Sequence, residues 1–291
     1  MQIKSLLAQP FANYLSSAIK KESKDAVTHQ EQIRTMLLQK AKHTYFGKQH
    51  KFANIESYTD FKQAIPIRDY EQCKPFIEKI KAGESDILWE GKPIYFAKTS
   101  GTTSGVKYIP ITKQSMPSHI LAARNALLCY IAETRNTSFV NGKMIFLSGS
   151  PELDNIHGIL SGRLSGIVNH HVPTYLTKNR LPSYETNCID DWETKLDAIV
   201  QETLRADMRL ISGIPPWVQM YFDRLNQRSG LPIGKLFPSF SLMVHGGVNF
   251  EPYKTKLFES IGHPIHTIET FPASEGFFAF QDSQSEEGLL L

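Results

Sequence analysis

Apolar residues recur at helical spacing over residues 5 to 45. Phe11, Tyr14, Leu15 and Ala18 fall on one face, and Ile33, Met36, Leu37 and Ala41 on another. From 52 to 90 short helical stretches are punctuated by Pro66 and Pro75, and Gly83 is placed to end a helix. An apolar run, Ile94-Tyr95-Phe96-Ala97, then predicts a strand. Thr112 is placed to cap a long helix reaching Glu133, with Ile120, Leu121, Leu127, Leu128 and Ile131 inward. Met144-Ile145-Phe146-Leu147 predicts a short buried strand. The Gly-rich stretch from there to about 187 shows no dominant period.

Downstream the pattern alternates. Residues 190 to 206 form an amphipathic helix on Trp192, Leu196, Ile199, Val200 and Leu204, with Asp190 as its cap. Arg209 to Ile214 reads as a strand, and Pro215-Pro216 opens a helix bearing Trp217, Met220, Tyr221 and Leu225. Phe240 to Val244 is a strand, 251 to 260 a helix, 264 to 271 a strand, and Phe277 to Phe280 another. Strands that are continuous apolar runs and alternate with helices predict an α/β fold, a largely parallel sheet flanked by helices. One large domain is expected, with residues 1–90 a mostly helical lead and 91–291 the α/β part.

Composition narrows the classes. The chain has 291 residues, 41% hydrophobic and 21% charged, so a packed core is expected. A net charge of +3 gives no footprint for nucleic acid or for a membrane surface. No apolar run is long enough to span a bilayer, and the first residues lack the apolar core of a signal peptide. Cys73, Cys129 and Cys188 are far apart and odd in number, which speaks against a zinc knuckle or a disulfide framework and for a reducing, cytoplasmic setting. The sequence stops at Gly288-Leu289-Leu290-Leu291, where an apolar run is just beginning. That reads as an unfinished strand of a longer protein.

Three stretches carry candidate chemistry. The first is Thr99-Ser100-Gly101-Thr102-Thr103-Ser104-Gly105-Val106-Lys107, with five hydroxyls, two glycines and a lysine in nine positions. Glycines let several backbone N–H groups converge, hydroxyls add donors, and the lysine adds a mobile charge, which together suit phosphate. Its spacing is neither GxxxxGK[ST] nor GxGxxG. The second is His245-Gly246-Gly247-Val248-Asn249-Phe250-Glu251, between a strand and a helix. Ligands of open α/β sheets bind beyond the carboxyl ends of strands, and paired glycines admit a flat ring there. The third is Glu269-Thr270-Phe271-Pro272-Ala273-Ser274-Glu275-Gly276, where a carboxylate could hold Mg²⁺ beside phosphates. His170-His171 has no third ligand nearby in sequence and reads as structural or as a pocket wall. No GxSxG elbow or HExxH pattern is present.

Thr99 to Lys107 resembles the phosphate-binding motif of the acyl-adenylate-forming superfamily, which includes acyl-CoA synthetases and luciferases. Phe271-Pro272-Ala273-Ser274-Glu275 resembles its aromatic-x-x-[ST]-Glu motif. A more specific likeness is to the acyl-acid amido synthetases first known as auxin-responsive proteins, the Gretchen Hagen three family. Bacterial-type members are similar at Lys42-His43-Thr44-Tyr45-Phe46-Gly47, at Ile65-Pro66-Ile67-Arg68-Asp69-Tyr70 and at Ser274-Glu275-Gly276-Phe277-Phe278-Ala279.

The resemblance implies the N-terminal part of a luciferase-like large domain and a two-step reaction with ATP and Mg²⁺. A small carboxylic acid would be adenylated, and its acyl group would then pass to an amino acid. It implies Lys107, Thr102 and Thr103 as catalytic residues. It implies nucleotide binding by Thr99, Ser100, Gly101, Thr102, Thr103, Ser104, Gly105, Lys107, Gly246, Gly247, Val248, Phe271, Pro272, Ala273 and Ser274, and metal binding by Glu275. The family's later aromatic-Arg-x-x-Gly-Asp motif and C-terminal lid domain are not in these residues, and Phe271 stands where Tyr is commoner. A thioester-forming ligase and an inactive nucleotide-binding fragment are the competing readings.

Overall fold

The structure of the protein, a computed structural model, describes residues 3–100 and 105–291. The lead holds α1 (Ile3–Ser23), α2 (Ala26–Ala41), α3 (Tyr45–Gln49), α4 (Tyr58–Ala64) and α5 (Tyr70–Lys81). Next come β1 (Tyr95–Ser100), β2 (Val106–Ile111), α6 (Met116–Thr134), β3 (Lys143–Phe146), β4 (Asp154–Ile156), β5 (Ile159–Gly162), α7 (Leu164–Asn169), α8 (Thr174–Thr177), β6 (Arg180–Leu181) and α9 (Tyr184–Asn187). The remainder is α10 (Trp192–Thr203), β7 (Met208–Ser212), α11 (Pro215–Ser229), α12 (Ile233–Leu236), β8 (Leu242–Gly246), α13 (Glu251–Ile261), β9 (His266–Ala273) and β10 (Gly276–Phe280).

The larger sheet has six strands in the order β10-β9-β8-β7-β3-β6. All neighbours from β9 to β6 are parallel, and only β10 runs antiparallel, as a hairpin with β9. Adjacent residues of its central strands face opposite layers. Ile145, Ile211 and Met243 pack with Leu196, Val218, Phe222 and Leu257 from α10, α11 and α13. Met144, Leu210 and Leu242 pack with Leu128, Tyr130 and Ile131 of α6. Burial on both faces explains why these strands read as unbroken apolar runs.

The expectation of an α/β fold with helices flanking a largely parallel sheet is met, but two sheets are present. The second has four strands, ordered β2-β1-β5-β4. β1 pairs antiparallel with β2 and parallel with β5. α5 covers one face through Phe76, Ile77 and Ile80 against Phe96 and Ile159. Ala97, Ile111, Met116 and Ile167 form the other face. α6 therefore starts in the core of the small sheet, at Met116, and ends in that of the large one.

Several local expectations shift. The predicted helix over 5–45 breaks between α1 and α2 at Lys24-Asp25, and again before α3. Thr112 does not cap α6; it exchanges hydrogen bonds with Ser115, and the helix begins at Met116. Leu121 on α6 is exposed. The cap of α10 is Asp191 rather than Asp190, its carboxylate accepting the Thr194 N–H at 2.9 Å. β8 runs to Gly246, two residues past the predicted end. The unassigned stretch before 187 holds β4, β5, α7, α8, β6 and α9.

One buried polar residue stands next to last in β8. His245 is 3% exposed and stacks on Phe250, with ring centroids 4.1 Å apart at 20°. Among the described residues its Nδ1 has no hydrogen-bond partner, and burial pushes its pKa down to about 4.

Two outcomes follow. Replacing fully buried Ile211 with Ala should cost about 2–5 kcal/mol by urea unfolding, because a packed two-faced strand collapses poorly around a cavity. For His245, the unfolded imidazole takes a proton near its ordinary 6.5, whereas the folded one resists until about 4. Stability should therefore be full above that window and fall as pH drops through it. His245→Phe keeps a ring against Phe250 and removes the proton, so its unfolding midpoint should change less with acidification than the wild type's. Equal pH dependence of the two proteins would refute this account.

Candidate active site

The first loop is a hairpin connection. The expected order was strand, loop, helix. Instead Thr99 and Ser100 are the last residues of β1, and Val106 and Lys107 the first of β2, with Thr99 opposite Lys107 and Ser100 opposite Val106. The reason is local. From Val106 to Ile111 the chain continues β-forming residues that pair back along β1, so the following helix is postponed by a whole strand. Gly101, Thr102, Thr103 and Ser104 lie outside the described residues. Gly105 leaves the loop at φ +76°. One residue before the loop, Lys98 forms an ion pair with Asp154 of β4.

Lys107 is half-buried and its ammonium lies 5.3 Å from the centre of the Tyr70 ring. Tyr70 is the first residue of α5, and its hydroxyl accepts the Tyr108 N–H at 2.8 Å. Among the described residues Lys107 makes no ion pair. Tyr70 carried no chemical role in the sequence reading; its place in the Ile65-to-Tyr70 motif was the only signal.

The second and third loops are neighbours. β8 and β9 pair in parallel, with His245 opposite Glu269 and Gly246 opposite Thr270. The approach is close: a Cβ on Gly246 would stand 2.1 Å from the Thr270 carbonyl oxygen, which no side chain survives. Gly247 then turns at φ +81°, the left-handed region where glycine costs least. Thr270 Oγ1 donates to the His245 carbonyl at 3.0 Å, and Asn249 Oδ1 accepts the Glu251 N–H at 3.1 Å to start α13. The turn is pinned on both sides and leaves Val248 exposed.

Phe271, Pro272 and Ala273 are the last residues of β9, and Ser274-Glu275 is the tight turn into β10. Pro272 is tolerated in the strand beside the turn. Phe271 is 51% exposed and packs against Phe278 across the hairpin, centroids 5.4 Å apart. Gly246, Gly247, Val248 and Phe271 thus gather at one end of the large sheet. They offer a bare backbone surface and an aromatic side, suited to a flat ring.

Glu275 is exposed at the turn. Among the described residues no three His, Cys, Asp or Glu side chains come together as a metal cluster. A lone carboxylate still suits Mg²⁺ carried in on phosphates, since that ion keeps several waters and takes only one or two carboxylates. The His170-His171 pair is engaged by the protein itself, His170 Nε2 with the Pro151 carbonyl at 2.6 Å and His171 Nε2 with the Tyr95 hydroxyl at 3.0 Å.

Known proteins share parts of this sequence and this fold. Residues 15–194 match the GH3 family N-terminal domain. A jasmonoyl–L-amino acid synthetase of Nicotiana attenuata is 25% identical over 185 residues, 62% of this chain and 31% of that protein. An indole-3-acetic acid-amido synthetase of Arabidopsis thaliana is 31% identical over 99 residues, 32% of this chain and 16% of its own length. In fold, a GH3.15 acyl acid amido synthetase superposes with a TM-score of 0.73 at 12% identity, covering 92% of this chain and 57% of that one. A 2-hydroxyisobutyryl-CoA ligase superposes with a TM-score of 0.59 at 12% identity, covering 90% and 53%. The chain thus spans little more than half of the solved proteins it resembles, and matches less of the curated ones. With more than half of its residues matched by one family's domain, it belongs to the GH3 family.

Proposed function

We propose that this chain supplies the nucleotide-binding part of an ATP-dependent acyl-acid amido synthetase. The observation that carries the reading is the pinned turn at Gly246-Gly247 beside exposed Phe271, a ring-sized platform next to the turn that bears Glu275. Membership of the GH3 family, with relatives named as a jasmonoyl–L-amino acid synthetase and an indole-3-acetic acid-amido synthetase, supports the same reading.

The reaction has two displacements. A carboxylate oxygen attacks the α-phosphorus of MgATP, forming an acyl–phosphate bond and expelling pyrophosphate. The amine of an amino acid then attacks the acyl carbon, forming the amide and releasing AMP. Both transition states develop negative charge on oxygens, so catalysis rests on donors already aimed at them. In this proposal the Lys107 ammonium, the hydroxyls of Ser100, Thr102 and Thr103 and the N–H groups between Thr99 and Gly105 bind phosphate oxygens. Glu275 would hold the Mg²⁺, which would supply positive charge beside the pyrophosphate oxygens. The adenine lies against Gly246, Gly247 and Val248, flanked by Phe271 to Ser274. The three cysteines are free, which fits work in the cytoplasm.

The test is calorimetric binding of MgATP, followed by carboxylate-dependent ATP–pyrophosphate exchange over a panel of small acids. Lys107→Ala should weaken MgATP roughly ten- to hundredfold, the scale of one hydrogen bond between charged groups. Glu275→Ala should weaken MgATP and leave metal-free nucleotide little affected. Wild-type affinity in both variants would dismiss the site assignment, and no binding by the parent chain would dismiss the nucleotide reading. Where exchange is seen, adding amino acids or coenzyme A separates amide from thioester formation.

A further inference from the structure

The stretch Ile65-Pro66-Ile67-Arg68-Asp69-Tyr70 carries no part of the adenylation chemistry, yet its last residue touches the phosphate hairpin. Asp69 caps α5, its carboxylate accepting the Gln72 N–H at 2.9 Å while the Gln72 side chain accepts the Asp69 N–H at 3.0 Å. This reciprocal pair fixes the first turn of the helix and so the direction of the Tyr70 side chain. Tyr70 meets β2 at two consecutive residues. Its ring lies under the Lys107 ammonium at 5.3 Å, and its hydroxyl takes the Tyr108 N–H at 2.8 Å. β2 is the edge of the small sheet, so that N–H would otherwise point away from any strand partner.

The far end of α5 grips the same sheet. Lys81 Nζ lies 4.6 Å from the centre of the Tyr108 ring, and the Lys81 carbonyl accepts His157 Nδ1–H at 2.7 Å from the turn between β4 and β5. Phe76, Ile77 and Ile80 fill the space between. α5 is therefore rigid relative to β2, and Tyr70 is a fixed object against which a flexible lysine can rest.

We propose that Tyr70 is the positioning residue for Lys107. The choice of partner matters. A carboxylate would hold the ammonium but neutralise it, and a phosphate would have to displace it. A ring face attracts a cation without cancelling its charge, and the attraction is weak enough to yield to phosphate. The ring thus narrows the rotamers of a side chain that would otherwise lose most of its freedom on binding nucleotide. The hydroxyl holds the backbone of the next residue, so the base of the lysine is fixed along with its tip. This inference rests on the reading of Lys107 as a phosphate ligand.

A double-mutant cycle separates the two claims. MgATP affinity and thermal midpoint are measured for the parent chain, Tyr70→Phe, Tyr70→Leu, Lys107→Met and the Tyr70→Leu/Lys107→Met pair. Tyr70→Leu should weaken MgATP about two- to fivefold, the size of an exposed cation–π contact. The loss should vanish in the Lys107→Met background, because Tyr70 then has nothing to position. Tyr70→Phe keeps the ring and loses only the hydroxyl, so it should lower the midpoint and weaken MgATP less than Tyr70→Leu does. An equal loss in both backgrounds makes Tyr70 a scaffold residue and overturns the proposal while the Lys107 reading stands. An unchanged affinity in Lys107→Met overturns both. Should Tyr70→Leu fail to fold, phenylalanines of increasing fluorination at position 70 replace it. Affinity should fall with each fluorine, and a flat series overturns the proposal.

Discussion

The large sheet is buried on both of its faces, and the placement of all its polar chemistry follows from that. Met144 and Ile145, Leu210 and Ile211, and Leu242 and Met243 send consecutive side chains into opposite apolar layers. No central position is left for a group that must meet water or a charged ligand, because burying it unpaired costs more than one contact returns. Polar function is pushed to the strand ends. There the backbone must turn toward the flanking helices, and N–H and C=O groups run out of ladder partners. His245 marks the limit of this rule: it is the last side chain of β8 held in the core, kept neutral by burial and braced by Phe250. One residue later Gly246 abandons the side chain altogether, so that β9 can close on it.

How much of this was legible depends on how loudly each residue type speaks. The strands β7, β8, β9 and β10 and the helices α10, α11 and α13 announce themselves as apolar runs or as periodic stretches opened by Asp or Pro. Two-sheet architecture does not. β2 is short, carries Lys107 at its second position, and includes Pro110, which a central strand would reject but an edge strand accepts. Read forwards it looks like the tail of a loop. The break between α1 and α2 has no glycine or proline, and Asp190-Asp191 offers two equivalent caps of which only geometry selects one. The stretch from 149 to 187 is built of elements two to six residues long, below the span over which any period accumulates.

The candidate site was legible as three loops but not as an arrangement. That the turn after β8 and the β9–β10 turn lie side by side is a consequence of strand order, which no local signal encodes. The glycine pair could be noticed in sequence, but its reason could not: one glycine is there for the carbonyl of a distant residue, Thr270 on the neighbouring strand, and the other for its own backbone angle. Tyr70 was quoted for likeness alone, since an aromatic at a helix start has too many ordinary uses to signal that it faces a lysine on another element.

The hairpin that carries Lys107 and the turns after β8 and β9 sit on different sheets, so in the proposed site two separately packed bodies would have to hold their relative position for one ligand to span them. One helix links the two sheets, and a second stiffens the smaller one. α6 is anchored by Met116 in the core of the small sheet and by Ala126 to Ile131 in that of the large one, a single rod shared by both. α5 braces the hairpin from the opposite face and is itself fixed at both ends, by the Asp69–Gln72 cap and by the Lys81–His157 contact. A helix resists bending far more than a loop resists rearranging, so α6 is the stiff link between the two cores. The residues that bracket the connection between β1 and β2, Thr99 and Lys107, are held as a pair across the β ladder.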